Sequence, residues 1–183
     1  MEVLVVMAIV ATLATLSLVA IFNQQGKARE KDTKLRIATI NRIITTYLEA
    51  GNNLPALTTQ GGEDSSEIFY ETLTGDVNHD GVYDSLDVDG MGDPVPQYNK
   101  DLLNRIGDNR KAWVIKDAMS NKFRLVDAFG QPFRFRTEMG KNTQDNGGFE
   151  DGYDLWSAGI DMATDKDNDA ANENLDDITN WKN

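Results

Sequence analysis

The chain contains no cysteine, one histidine and four prolines among its 183 residues. Without cysteine there are neither disulfide bonds nor thiol chemistry, so an oxidising compartment is neither required nor excluded. The lone histidine has no nucleophile at an interpretable spacing, and no glycine-rich phosphate loop follows a strand. The sequence therefore predicts a protein that is not an enzyme and has no small-molecule substrate. Basic residues are also few, at 18 Lys and Arg against 30 Asp and Glu. The resulting net charge of −12 argues against a nucleic-acid partner.

Charge is absent altogether from the stretch between residues 3 and 22. These 20 residues also lack proline and glycine, and about 20 apolar residues is the length that a helix needs to cross the hydrocarbon core of a bilayer. Glu2 stands just before them. A carboxylate at this place costs free energy in lipid unless it reaches water or a positive partner. Two interpretations follow: Glu2 lies at the membrane interface, or it contacts the terminal amine of a neighbouring chain.

The segment from Met1 to Ala14 resembles the N-terminal segment of type IV pilins and of type II secretion pseudopilins. The resemblance implies an α+β, type IV pilin-like fold, in which a long N-terminal α-helix spine packs on a small antiparallel β-sheet with a calcium-stabilised C-terminal loop. Family precursors carry a short basic leader ahead of the glutamate. No such leader precedes Glu2, so we expect a chain truncated at its N-terminus, and processing and methylation are implied by resemblance only.

Two regions are predicted. Residues 1–50 form the spine helix, with 1–22 transmembrane or in a filament core and 23–50 amphipathic, and residues 51–183 form a globular domain. The apolar stripe of the second half comprises Leu35, Ile37, Ile40, Ile43, Ile44, Tyr47 and Leu48, with Arg36 among the polar residues elsewhere. Gly51 ends the helix. Further on, we predict short helices within 66–73 and 100–106, strands at 113–116, 123–126, 132–136 and 153–157, and a turn at 127–131.

The strongest local motif lies between residues 76 and 87. Carboxylate and amide side chains fall at positions 1, 3, 5, 9 and 12 of a twelve-residue loop with glycine at position 6, which is the EF-hand arrangement. The predicted calcium ligands are Asp76, Asn78, Asp80, Asp84, Asp87 and the backbone carbonyl of Val82. Aspartate at position 12 makes the loop resemble a dockerin-type loop. The alternative is a solvated acidic turn, and His79 is expected to be a surface residue that points away from the metal.

Three later segments carry a second resemblance. Residues 127–133, 154–161 and 176–181 resemble, in this order, three signatures of the major pseudopilin of type II secretion: Asp-Pro-Trp-Gly-x-Pro, Asp-(Ile/Leu)-aromatic-Ser-x-Gly-x-Asp and Asp-Ile-x-(Asn/Ser)-Trp. Ala128 and Phe129 depart from the first. In that family the C-terminal loop closes around calcium. The resemblance implies Asp161 and Asp177 as side-chain ligands and Leu155 as a carbonyl ligand.

The charge of the C-terminal region favours a cation independently. From residue 138 onward, 12 Asp and Glu stand against three Lys, and a loop of this length and charge has little to order it except a metal ion. The alternative is a disordered acidic tail. Residues 165, 167 and 169 are aspartates that resemble the start of another calcium loop, but alanine stands where the glycine is needed.

These patterns predict a structural subunit of a type IV pilus-like filament, most like a type II secretion major pseudopilin. We expect it to assemble through its apolar helix as a homo-oligomer, a helical filament, with calcium as its cofactor and the secretion or pilus machinery as partner. The expected location is the bacterial inner membrane before assembly and a periplasmic or cell-surface filament afterwards. The alternative is a single-pass membrane-anchored, calcium-binding (dockerin-like) interaction module. A membrane-anchored hydrolase lacks a catalytic constellation.

Overall fold

The computed structural model describes residues 2–55, 63–89, 91–93, 96–97, 99–107, 111–137, 153–164 and 176–180. Its helices are α1 (Glu2–Glu49), α2 (Glu63–Thr74) and α3 (Lys100–Leu103). Its strands are β1 (Val114–Lys116), β2 (Phe123–Leu125), β3 (Arg134–Arg136), β4 (Asp154–Ser157) and β5 (Ile178–Thr179).

Helix α1 ends where the sequence predicts. Gly51 follows it with φ 85°, the left-handed conformation that glycine adopts without strain, and its N–H donates to the carbonyl of Leu48 at 2.9 Å. Within the apolar stretch, the hydroxyl of Thr12 donates to the carbonyl of Ile9 at 2.8 Å. Hydroxyl groups in this stretch therefore find their partners within the helix itself.

The predicted fold class is right in being α+β and wrong in being pilin-like. In the part of the chain that the structure describes, no helix combines the length and apolar character needed to span a membrane. The pilin-like prediction depended on a helix of this kind, so this finding overturns it.

The strands also form two small sheets instead of the single sheet predicted. β1 pairs with β2, and β3, β4 and β5 form a separate three-stranded sheet in that order. All described strand pairs are antiparallel, with Val114 opposite Leu125 and Phe135 opposite Leu155. Among the described residues, an isolated antiparallel bridge between Val126 and Pro132 links the two sheets. The N–H groups on either side of it make this link, from Phe133 to the Leu125 carbonyl and from Asp127 to the Gln131 carbonyl, each at 2.9 Å.

One face of α1 packs on the sheets. Ile37, Ile40, Ile44 and Tyr47 are buried at helical spacing, as the stripe predicts. The prediction for Leu35 was wrong, because this side chain is 59% exposed. Ile37 has the buried Ile40 three residues further along the helix, whereas Leu35 has no buried residue three or four positions further along.

Helix α2 covers the sheets from another side. Phe69, Tyr70 and Leu73 are completely buried in the same core as the α1 stripe. The rings of Phe69 and Phe135 stack with their centroids 3.7 Å apart and an interplanar angle of 13°. The strand predicted at 132–136 is present as β3, in which Phe135 is buried between the half-buried Arg134 and Arg136.

The prediction that Arg36 lies on the polar side of α1 was wrong. Only 1% of Arg36 is exposed, and its Nη1 donates to three backbone carbonyls. They belong to Ala112 at 2.7 Å and to Val126 and Asp127 at 3.0 Å each. Its Nη2 donates to Asp32 one turn earlier at 2.9 Å. Arg36 therefore joins α1 to one end of the first sheet, where the chain enters β1 and leaves β2.

We predict that Arg36→Leu destabilises the protein by about 3–5 kcal/mol, because three buried carbonyls lose their donor and Asp32 loses its partner. The control is Arg42→Leu, an exposed arginine on the same helix, which should change stability by no more than about 0.5 kcal/mol. Urea denaturation followed by tryptophan fluorescence measures both. Equal effects of the two substitutions would contradict this role for Arg36.

Candidate functional site

The loop of residues 76–87 begins directly after α2. Gly75 ends that helix with φ 77°, and its N–H donates to the carbonyl of Glu71 at 2.8 Å. A Cβ on Gly75 would crowd the carbonyl of Pro96 and the ring of Tyr83. Glycine is therefore needed twice here, for its backbone angle and for the close approach of the chain.

The first and last side chains of the loop point inward and hold it together. Asp76 accepts the N–H groups of Asp80 at 3.1 Å and Gly81 at 3.0 Å. Asp87 accepts those of Val77 and Asp84 at 2.9 Å each. Asp76 is completely buried and Asp87 is 1% exposed. The two carboxylates thus close the loop from opposite ends of its sequence.

Asp76 also accepts a hydrogen bond from Tyr70 of α2. The Tyr70 hydroxyl donates to Asp76 Oδ2 at 2.5 Å. Burial, and then the hydrogen bond to Asp76, raise the pKa of the Tyr70 phenol far above its usual range. The phenol therefore keeps its proton and remains a donor to this carboxylate at every physiological pH.

The other predicted ligands lie nearer the surface. Asn78, Asp80 and Asp84 are exposed, and each accepts the N–H two residues further along the chain. These donors belong to Asp80 at 2.9 Å, Val82 at 2.8 Å and Leu86 at 2.7 Å. The Val82 side chain is 56% exposed. These three side-chain oxygens are therefore turned toward backbone N–H groups of the loop itself.

Lys116 approaches this loop, but its ammonium donates to the His79 carbonyl at 3.0 Å and not to a carboxylate. Among the ion pairs of the described residues, none involves Asp76 or Asp87. Two buried carboxylates without a cationic partner are the donor set that a hard divalent cation stabilises most. Within the same described part of the chain, however, no three His, Asp or Glu side chains converge closely enough to hold a metal ion.

The prediction that His79 is a surface residue was wrong, since only 6% of it is exposed. It adopts φ 56°, and its Nδ1 accepts the N–H of Phe123 at 2.9 Å. With Nδ1 as acceptor, the other ring nitrogen carries the proton that is shared with Glu71 Oε1 at 2.6 Å. His79 therefore fastens the loop to β2 and α2, a role that no local sequence signal indicates.

The three C-terminal signatures meet in the fold. Ser157 of β4 donates its hydroxyl to Asp127 Oδ2 at 2.5 Å, which joins the first signature to the second. Asn180 pairs with Leu155 twice: its backbone N–H donates to the Leu155 carbonyl at 3.0 Å, and its side-chain Oδ1 accepts the Leu155 N–H at 3.0 Å. The second signature is thereby joined to the third.

The predicted ligands of the second calcium site lie on this scaffold. Asp161 is exposed, and its Oδ1 accepts the N–H of Ala163 at 2.9 Å. Both oxygens of Asp177 accept the Thr164 hydroxyl at 3.0 Å. Burial raises the pKa of Asp177 to about 6, and the charges of Asp176 and Asp161 add to this effect. The Leu155 carbonyl is engaged in the strand pairing instead.

Asp176 also organises this region, although it was not among the predicted ligands. Its Oδ2 accepts the N–H groups of Ile160 at 2.6 Å and Asp161 at 3.0 Å, so it holds the turn after β4. A Cβ on Gly159 would overlap the Asp176 backbone. The glycine in the second signature is the only sequence signal for this contact. The side chain of Glu2 and residues 165, 167, 169 and 181 lie outside what the structure describes.

Comparisons with protein-family models, with curated proteins and with solved structures find no match to this chain. The resemblances to pilins and to pseudopilins therefore rest on the sequence motifs alone.

We predict that calcium raises the melting temperature of the wild-type protein by about 5–10 °C over chelator when its concentration is about 100 times the dissociation constant. Asp76→Asn and Asp87→Asn should each abolish most of this rise, because they remove charge from the two buried carboxylates. Asp89→Asn, the same change just outside the loop, should retain it. An unchanged transition of the wild-type protein in calcium and in chelator would contradict the site.

We predict opposite pH dependences for two aspartates. Burial raises the pKa of Asp127, so its contribution to stability is present below the unfolded-state pKa and is lost as pH rises through the folded value. Hydrogen bonding from the Ser120 N–H lowers the pKa of Asp117, so its contribution is lost as pH falls. As pH rises from about 3 to 7, the wild type should therefore lose stability relative to Asp127→Asn. Over the same rise in pH, it should gain stability relative to Asp117→Asn.

The measurement is urea denaturation of the three proteins across this pH range. In Asp127→Asn, the new amide can still accept from the backbone and donate to Ser157, so the fold is retained. Parallel profiles for the two variants would refute the assignment of opposite shifts.

Proposed function

We propose that this chain is a structural subunit of a type IV pilus-like filament, most like that of a type II secretion pseudopilus, which assembles through the first part of α1. The observation that carries the proposal is the exposure of this part of the helix. Its large apolar side chains are between 53% and 71% exposed. They are Val3, Val5, Val6, Met7, Ile9, Val10, Leu13 and Leu16.

The distribution of these side chains favours several neighbours over one. At 100° per residue they occupy roughly 200° of the helix circumference, more than a single partner helix covers. Each buried apolar Å² contributes about 25 cal/mol to association. A bundle of identical helices covers such a surface from all sides, and a helical filament is the assembly that repeats this contact without limit.

The proposal also covers the role of Glu2 and the path of the subunit before assembly. We propose that Glu2 neutralises the terminal amine of the adjoining subunit, and that the subunit waits in the inner membrane before the secretion or pilus machinery assembles it outside. These remain predictions from the sequence. The absence of catalytic function is a prediction of the same kind.

Calcium is proposed to stabilise the subunit surface. The residues that would hold it are Asp76, Asn78, Asp80, Asp84 and Asp87 with the Val82 carbonyl, and Asp161 and Asp177 at the second place. Its charge would compensate the buried carboxylates that have no cationic partner in the described residues, so metal binding would add to folding free energy.

The second candidate is the anchored calcium-binding interaction module. One observation favours it: Val82 and Leu86 of the calcium loop are 56% and 67% exposed, as apolar residues that contact a partner would be. A module of this kind would present its loop to another protein and would have no use for self-association through α1.

We predict that Leu13→Lys raises the concentration needed for filament formation at least about 100-fold, because a charge at a dry helix contact costs about 3 kcal/mol or more. Glu2→Ala should act in the same direction. Met119→Lys is the control, since Met119 is 99% exposed in the turn between β1 and β2. Electron microscopy and sedimentation of purified full-length protein measure assembly. A wild-type chain that remains monomeric under all assembly conditions would favour the anchored module.

A further inference from the structure

The solvent face of α1 after the apolar part is basic. Residues 24–49 contain six Lys and Arg against three Asp and Glu, although the whole chain is strongly acidic. Four of the basic residues follow one another at intervals that place them on one face of a helix. This basic face consists of Lys27, Lys31, Lys34 and Arg42, all of them exposed.

Most of the basic face has no partner in the described chain. Lys34 pairs with Glu30 on the same helix, with 2.7 Å between Nζ and Oε1. Lys27, Lys31 and Arg42 form no ion pair with any described residue. Leu35 lies among these residues and is 59% exposed, so the basic face also carries an apolar contact point.

A surface of the opposite sign lies on another part of the molecule. The segment of residues 75–99 contains six aspartates and neither lysine nor arginine. Its exposed acidic surface consists of Asp80, Asp84, Asp89 and Asp93. Asp89 and Asp93 lie outside the predicted calcium loop, so both would keep their charge after calcium binds.

Apolar side chains accompany these carboxylates as well. Leu86 is 67% exposed and Val88 is 37% exposed. The Oδ1 of Asp89 accepts the N–H groups of Met91 at 2.8 Å and Asp93 at 2.9 Å, which fixes the turn that presents the acidic surface. Each of the two surfaces thus combines charges of one sign with exposed apolar side chains.

None of the ion pairs among the described residues joins the two surfaces within one chain. The basic face lies on the side of α1 opposite the buried stripe, so it points away from the chain's own sheets. Two complementary surfaces at different places on one molecule can meet only between copies. Repetition of such a heterologous contact produces an open helical array and not a closed dimer.

We propose that the basic face of α1 docks on the acidic surface around Asp89 and Asp93 of a second copy of this chain. The inference rests on the proposed filament and specifies a lateral contact between its subunits. Electrostatic complementarity of this kind sets the register and the rate of association more than the affinity, which the apolar helices supply.

The test exchanges the charges in the full-length protein. Lys31→Glu with Arg42→Glu, and separately Asp89→Lys with Asp93→Lys, should each raise the critical concentration for filament formation about three- to tenfold, the effect of a few exposed ion pairs. Combining all four substitutions should restore the wild-type value to within about threefold. Arg29→Glu, on a different face of the same helix, should leave the critical concentration unchanged.

The outcomes separate this contact from the proposed function and from lipid binding. If the wild type forms filaments and both double variants assemble at the wild-type critical concentration, the contact is refuted. It is also refuted if the quadruple variant does not recover the wild-type value. Neither result would contradict the filament itself. If Lys31→Glu with Arg42→Glu abolishes binding to phosphatidylserine vesicles but not assembly, the basic face serves a membrane surface and the contact is refuted. Failure of the wild type itself to form filaments would overturn the proposed function, and the contact with it.

Discussion

The fold depends on one buried cation. The guanidinium of Arg36 lies inside the protein and donates to carbonyls that are 76, 90 and 91 residues away along the chain. It also lies 5.5 Å from the Trp113 ring centroid, with the guanidinium of Arg105 at 3.8 Å from the same centroid. Such a group is stable only when its hydrogen bonds are all made, so it permits a single position of α1 on the first sheet.

The position of α1 determines what the molecule can do with the rest of the helix. With Thr33, Arg36, Ile37 and Ile40 buried, the basic residues at helical spacing opposite them are left in solvent. The first part of the helix has its apolar side chains exposed as well. Lys34 of the basic face pairs with Glu30, and the other basic residues of this face form no ion pair in the described chain. The proposed self-association would cover both surfaces.

The two candidate calcium regions share a physical design. Carboxylates hold the turns by accepting backbone N–H groups: Asp76 and Asp87 in one region, Asp176 in the other. The negative charge that folds each loop also opposes it, because like charges lie close together in a partly dry environment. The proposed divalent cation would reduce this conflict and so strengthen loops that already have a definite path.

Local patterns in the sequence sufficed for α2, the end of α1 and the strand containing Phe135, since each depends on periodicity or turn chemistry within a few residues. The burial of Arg36 and His79, the role of Asp176, the strand at Ile178 and the division into two sheets were decided by the tertiary structure alone. The reason is physical: a polar side chain is buried wherever distant carbonyls and N–H groups can satisfy it, and no local pattern records where those partners will be.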